Sequence, residues 1–292
     1  MMKADGQHPV VAGVDPDQPS RLLLAWAADE ADRRHLPLHL VLACRLATRA
    51  GNWSMTWPEL QEKTNHLRAA GEQTLAEAAR FVAERHPALP VTTRPVDGEP
   101  ADVLHEQSTG ATLLVLGSRR LTAARELFTA GSVAVASIAH ACCPVVVVRD
   151  PEHSTQQPPY FVVGVDGSPA SQAAVDYAFD AAALRGAGLR AILALHPSHP
   201  DWVDEHQAEQ DSRRVLAEIA AGRRETHPDV ELTHEVLRGH PVAVLAEAST
   251  HALALVVGTR GLGGFTGMLL GSVGQGVLHH ARCPVITVPT PV

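Results

Sequence analysis

Lysine is almost absent from this chain: only Lys3 and Lys63 occur, and arginine supplies the rest of the 24 basic residues. A P-loop needs Gly-x-x-x-x-Gly-Lys-Ser/Thr. No glycine here is followed by lysine, so that class of nucleotide site is excluded. Positive charge is also short overall. The formal net charge of −8 gives no general electrostatic reason to bind nucleic acid or an anionic membrane. The four cysteines, Cys44, Cys142, Cys143 and Cys283, form no Cys-x-x-Cys pair, so neither a disulfide framework nor a zinc ribbon is indicated. No apolar run approaches membrane-spanning length, and the opening Met1-Met-Lys-Ala-Asp-Gly lacks the apolar core of a signal peptide. A cytoplasmic protein without membrane or nucleic-acid partners is the expectation.

Several catalytic signatures are missing as well. A dinucleotide fingerprint puts Gly-x-Gly-x-x-Gly straight after the first strand of a βαβ unit. Gly261-Leu-Gly263 follows a late apolar run and lacks the third glycine. Leu270-Gly-Ser272-Val-Gly274 misses the leading glycine of a nucleophile elbow by one position, so Ser272 reads better as a helix-start donor. Seventeen histidines invite a metal hypothesis, yet no His-Glu-x-x-His is present. His279 and His280 are consecutive, which points them about 100° apart on a helix. Scattered surface histidine is the preferred reading, with no metal and no catalytic residue assigned.

What the chain does contain is repetition. Its 292 residues suffice for two ordinary domains, and an apolar fraction of 45% with 19% charge is that of a soluble globular protein. Val10-Val-Ala-Gly-Val-Asp15 returns as Phe161-Val-Val-Gly-Val-Asp166. Gly98-Glu-Pro100 returns as Gly239-His-Pro241, and Leu114-Val-Leu-Gly-Ser-Arg119 as Leu255-Val-Val-Gly-Thr-Arg260. Gly131-Ser-Val133 and Cys143-Pro-Val145 return as Gly271-Ser-Val273 and Cys283-Pro-Val285. Five matches in one order mean two copies of one domain. The copies are expected at 1–150 and 160–292, joined by the polar, proline-rich linker 151–159.

Within the first copy, apolar runs predict strands near 9–14, 38–44, 91–96, 112–117 and 144–149. Helices are predicted over 20–34, 59–85, 100–109 and 132–141, with Pro100 and Pro241 at first-turn positions. Strands alternating with helices imply an α/β class. The expected fold is two tandem flavodoxin-like (Rossmann-like) domains, each a five-stranded parallel sheet with helices on both faces. Ligands of such sheets bind beyond the carboxyl ends of the strands at a switch point. If the first and fourth strands are neighbours, Asp166 and Gly258 end adjacent strands, and the glycine-rich stretch 258–271 hangs over one crevice. Glycine N–H groups and a helix start at Ser272 suit phosphate there. The plain alternatives are a surface loop for the glycines, a turn residue for Asp166 and a solvent-facing side chain for Arg260.

At these residues the chain resembles the universal stress protein family in its tandem two-domain form. The resemblance rests on the first-strand aspartate and on a motif of Gly, two residues, Gly, nine residues, Gly-Ser/Thr. Gly258, Gly261, Gly271 and Ser272 match it without a gap. The resemblance implies ATP binding without a Walker lysine. Asp166 and the backbone around Gly164 and Val165 would meet ribose and adenine. Gly258, Arg260 and Gly261 would line the phosphate path, and Gly271, Ser272 and Val273 would hold the terminal phosphates.

The first copy departs from the pattern. Gly13, Asp15, Gly117, Gly131, Ser132 and Val133 remain as site candidates, but Arg120 replaces the second glycine and residues 121–130 contain none. Either Arg120 fills the phosphate path or it neutralises phosphate; a weakened or lost first site is the favoured reading. Two functional classes follow, a nucleotide-dependent regulatory binding module and an interaction scaffold with relic pockets, with a slow ATP hydrolase as a third. An enzyme is not expected. The apolar last strands, Val145-Val-Val-Val148 and Val285-Ile-Thr-Val288, would expose sheet edges. By the resemblance they pair within the chain, making it an intramolecular pseudo-dimer and leaving homo-oligomers open.

Overall fold

The computed structural model describes residues 8–17, 19–45, 56–118, 133–149, 153–196, 205–261 and 270–290. These divide into two compact units, one up to Cys143 and one from Pro144 onward.

In the first unit the order is β1 (Val10–Gly13), α1 (Arg21–Arg34), β2 (Leu38–Cys44), α2 (Trp57–Arg85), β3 (Val91–Asp97), α3 (Pro100–Ser108), β4 (Leu113–Gly117) and α4 (Val133–His140). Its strands are all parallel, ordered β3-β2-β1-β4. Helix starts follow local chemistry. The Ser20 hydroxyl accepts the Leu23 N–H at 3.2 Å to begin α1, and Thr56 with Glu59 forms a capping box for α2. The buried stripe Leu24, Ala27, Ala28 and Ala31 on α1 recurs at helical spacing and faces the sheet. α1 and α2 share one face, tied by Arg85 and His86 to Asp29, while α3 and α4 lie on the other.

The second unit contains β5 (Val145–Val148), β6 (Tyr160–Val165), α5 (Pro169–Ala183), β7 (Gly188–Leu195), α6 (Glu205–Ala221), α7 (Arg223–Thr226), β8 (Leu232–Arg238), α8 (Pro241–Ala248), β9 (Leu255–Gly258), α9 (Ser272–His280) and β10 (Val285–Val288). The strand order is β8-β7-β6-β9-β10-β5. α5 covers one face over β6 and β9, and α8 packs with α9 on the other.

One detail differs from the sequence-based expectation. The repeat's own strands run 3-2-1-4-5, so of the two descriptions offered, Rossmann-like fits the order and flavodoxin-like, 2-1-3-4-5, does not. Periodicity fixes which face a strand buries but not which strand lies beside it. The first and fourth strands are nevertheless neighbours, as the site reading required: Val162 pairs with Leu255 and Val163 with Val256. The pairing expected of the two last strands is present: β5 runs antiparallel to β10, with Val147 opposite Val285, Val146 opposite Ile286 and Val145 opposite Thr287. All four valines of β5 are buried, and the Thr287 hydroxyl donates to the Val145 carbonyl at 3.3 Å. The pairing satisfies backbone groups that an open edge would expose. Arg149, just past β5, donates to the carbonyls of Leu278 and His279, a cationic cap on the C-terminal end of α9.

Candidate functional site

At the carboxyl edge of β6 the chain turns sharply. The Asp166 Oδ1 accepts the Ser168 N–H at 2.9 Å, and Gly167 takes a φ of +83° that side chains rarely adopt. Ser168 is buried and caps α5, its hydroxyl accepting the Ser171 N–H at 3.1 Å, while Pro169 opens the helix. The plain reading of Asp166 as a turn residue is therefore realised for one of its oxygens. The other oxygen points elsewhere: a Cβ placed on Gly261 would collide with Asp166 Oδ2.

The glycines divide by what occupies the space of the missing side chain. At Gly164 a Cβ would come within 2.9 Å of Leu245 on α8 and 3.3 Å of Val257 on β9. At Gly258 it would meet the Ala170 carbonyl carbon and oxygen, both at 2.7 Å. Those two glycines let helices approach the sheet closely. Gly261 and Gly271 instead form the ends of the loop. The Gly271 N–H donates to the Thr259 carbonyl at 2.9 Å, and the Thr259 N–H donates to Val288 at 3.0 Å, anchoring the loop neck to β10. A Cβ on Gly271 would lie 3.6–3.7 Å from backbone atoms of Thr259, Arg260 and Gly261.

Gly271 is the N-cap of α9 and supplies no side-chain acceptor. The first-turn N–H groups at Ser272, Val273 and Gly274 lack intrahelical partners by geometry. Ser272 and Arg260 are exposed, Val273 is half-buried and Val165 is buried. Asp166, Gly258, Arg260, Gly261, Gly271, Ser272 and Val273 thus gather around the ends of β6 and β9, while Gly164 serves packing below them. Gly263, Gly264 and Gly267 lie outside the described residues.

The first unit builds the corresponding place differently. The Asp15 Oδ1 accepts the Asp17 N–H at 3.0 Å, but α1 begins only at Arg21, three residues later in the repeat than α5. A Cβ on Gly13 would meet Leu116 at 2.8 Å and Leu104 at 3.1 Å, as at Gly164. At Gly117, by contrast, the nearest atom would be Leu23 Cδ1 at 3.4 Å, so helix and strand are less tightly apposed than at Gly258. Val133 opens α4; Arg120, Gly131 and Ser132 lie outside the described residues.

Sequence reasoning missed Ser168 and Thr259. The string Asp166-Gly-Ser-Pro169 carries a legible signal, a turn former followed by an N-cap and a first-turn proline. Nothing in the sequence marks Thr259 as the residue that closes the loop. Elsewhere, burial pushes the Cys143 thiol up to about 12 and the Cys283 thiol up to about 11, so both act as core residues rather than nucleophiles. Among the described residues no three His, Cys, Asp or Glu side chains form a metal-binding group, and no helix is long and apolar enough to cross a membrane.

Comparison with known proteins adds the lineage. The family model described as Universal stress protein family matches twice, over residues 7–149 and 161–289. A universal stress protein of Mycobacterium tuberculosis is 36% identical over 303 residues, covering 98% of both chains. One from Mycolicibacterium smegmatis is 34% identical over 303 residues and covers 99% of both. The crystal structure of a universal stress protein from Archaeoglobus fulgidus has the same fold, with a TM-score of 0.72 at 16% identity and 97% of each chain covered. The chain belongs to the universal stress protein family and carries two copies of its domain.

Proposed function

We propose that the second unit binds ATP in the crevice beyond β6 and β9, and that occupancy of this crevice regulates what the protein binds. One observation carries the reading: the Asp166 carboxylate, the two ends of the glycine loop and the start of α9 meet at one place. The residues fit the ligand. A carboxylate suits ribose hydroxyls, and the first-turn N–H groups of α9 with the Ser272 hydroxyl suit phosphate oxygens. Arg260 supplies exposed positive charge beside the loop neck, where this family of sites uses no lysine. Gly261 and Gly271 keep the approach clear of side chains.

The proposed role is binding rather than catalysis. The carboxylate this crevice offers as a general base is Asp166, and its Oδ1 already accepts the Ser168 N–H. A nucleotide that favours one arrangement of the crevice would shift the surface that partner proteins read. The scaffold reading draws on a separate observation, that packing alone accounts for Gly164 and Gly258. Calorimetric titration of the full chain with ATP separates the two. Asp166→Asn is expected to weaken binding about tenfold, as for loss of a charge-assisted hydrogen bond. Asp15→Asn is expected to leave it within twofold. No ATP binding by the unmodified chain, or an affinity that neither substitution changes, would favour the scaffold.

A further inference from the structure

The same edge of the second sheet carries an aromatic pair that the site described above does not use. His196 directly follows β7, and His240 is the N-cap of α8. Their ring centroids are 5.4 Å apart with planes at 76°, an edge-to-face arrangement. His240 makes no side-chain capping hydrogen bond; its ring is turned to His196 instead. The corner is fixed by backbone. Gly239, at a φ of +144°, donates its N–H to the Leu195 carbonyl at 2.9 Å.

The first unit keeps this backbone and changes the side chains. Gly98, at a φ of +150°, donates to Cys44 at 3.0 Å. The residue after β2 is Arg45 and the N-cap of α3 is Glu99, and they form an ion pair at 3.3 Å. One frame therefore holds a charged pair in the unit with the altered motif and two imidazoles in the unit with the intact one.

Register places the histidines relative to Asp166. Val165 pairs with Leu193, so Asp166 is level with Ala194, and His196 lies two residues further along the neighbouring strand. Alternation puts Asp166 in phase with Gly164 and His196 in phase with Arg190. Both phases face α8: a Cβ on Gly164 would meet Leu245, and the Arg190 guanidinium donates to the Ala248 carbonyl at 3.5 Å. Across the sheet the order is then the β9 loop with α9, Asp166 after β6, and the histidines after β7. Neighbouring strands are about 4.8 Å apart, so this series spans about 10 Å. A nucleotide with phosphates at α9 and ribose at Asp166 directs its base toward the histidines.

We propose that His196 and His240 form the nucleobase wall of the second site, with an imidazole face stacking on the purine. The inference rests on the ATP reading of that site. Stacking on a flat ring is tolerant of base identity, and at this place the first unit carries the Arg45–Glu99 ion pair instead of two rings.

Full-length His196→Ala and His240→Ala proteins, titrated calorimetrically with ATP at pH 8, are expected to bind about tenfold more weakly than the unmodified chain. His196→Phe, which keeps a ring face, is expected to stay within threefold. NMR of the ATP complex should show cross-relaxation between the adenine H2 or H8 proton and the ring protons of His196 or His240. Unchanged affinity in both alanine proteins, or adenine protons that see neither ring, overturns the wall and leaves the ATP site standing. An unmodified chain that binds no ATP overturns both.

Discussion

Gly261 lies against Asp166 so closely that any side chain at position 261 would overlap the carboxylate Oδ2. The glycine loop after β9 and the turn after β6 therefore depend on each other. Gly261→Ala must displace either the loop neck or the carboxylate whose Oδ1 accepts the Ser168 N–H. The expected outcome is at least a tenfold loss of ATP affinity with a melting temperature within a few degrees of the unmodified chain, because Gly261 is a loop residue and not core. Calorimetry and thermal melting on one preparation check both parts.

Gly258 and Gly117 hold the same place in the repeat but are built to different tolerances. A Cβ at Gly258 meets backbone of α5 at 2.7 Å, and backbone cannot rotate away as a side chain can. At Gly117 the nearest atom, at 3.4 Å, belongs to the side chain of Leu23. Gly258→Ala is expected to destabilise by about 1–3 kcal/mol through overpacking, and Gly117→Ala by much less. Urea unfolding of the two proteins tests the difference; equal losses would contradict the tight apposition of β9 and α5.

A surface ion pair appears in both units with its charges exchanged. Arg68 on α2 pairs with Asp97 at the end of β3, and Glu209 on α6 pairs with Arg238 at the end of β8 at 3.4 Å. Both pairs are substantially exposed, so each contributes about 1 kcal/mol or less. Asp97→Arg alone is expected to destabilise slightly, and the exchange Arg68→Glu with Asp97→Arg to restore stability. A double-mutant cycle in urea reads the coupling, which should fall as salt is raised.

Acid sensitivity should concentrate at the α1–α2 contact. Burial pushes the Asp29 carboxyl up, but hydrogen bonds from Arg85 and His86, at 2.6 and 2.7 Å, outweigh it and hold the group below its ordinary value. A depressed carboxyl favours the folded state above its unfolded pKa and loses that contribution as pH falls through the folded one. Unfolding midpoints should therefore drop below about pH 4 in the unmodified chain. Asp29→Asn should be less stable at pH 7 and lose less on acidification. Parallel acid limbs for the two proteins would remove Asp29 from the account.

Much of this architecture was legible in the residues. The apolar run predicted at 38–44 is β2, Leu38–Cys44, and the helix predicted over 59–85 is α2, which begins two residues earlier at Trp57. Its capping box, Thr56 with Glu59, was readable from their spacing. Strand order was not readable, because alternation records burial and not neighbours; the pairing of the two last strands, expected from the family resemblance, is seen in β5 against β10. The glycines carried a related ambiguity. Gly164, Gly258 and Gly261 are identical letters, yet the first two make room for Leu245 and Ala170 and the third for Asp166. Only the approach of another chain segment distinguishes packing glycines from site glycines. The His196–His240 contact was hidden for the same reason, since forty-odd intervening residues separate two rings that one backbone corner brings together.

On the proposed reading, the second unit holds a single ATP site whose path runs past Gly261. Native mass spectrometry of the full chain counts bound ATP directly, for the unmodified protein and for Gly261→Arg, which copies the first unit's Arg120 into the second. One ATP per chain is expected for the former and none for the latter at the same nucleotide concentration. Two ATP per chain, or a count that Gly261→Arg leaves unchanged, would contradict it.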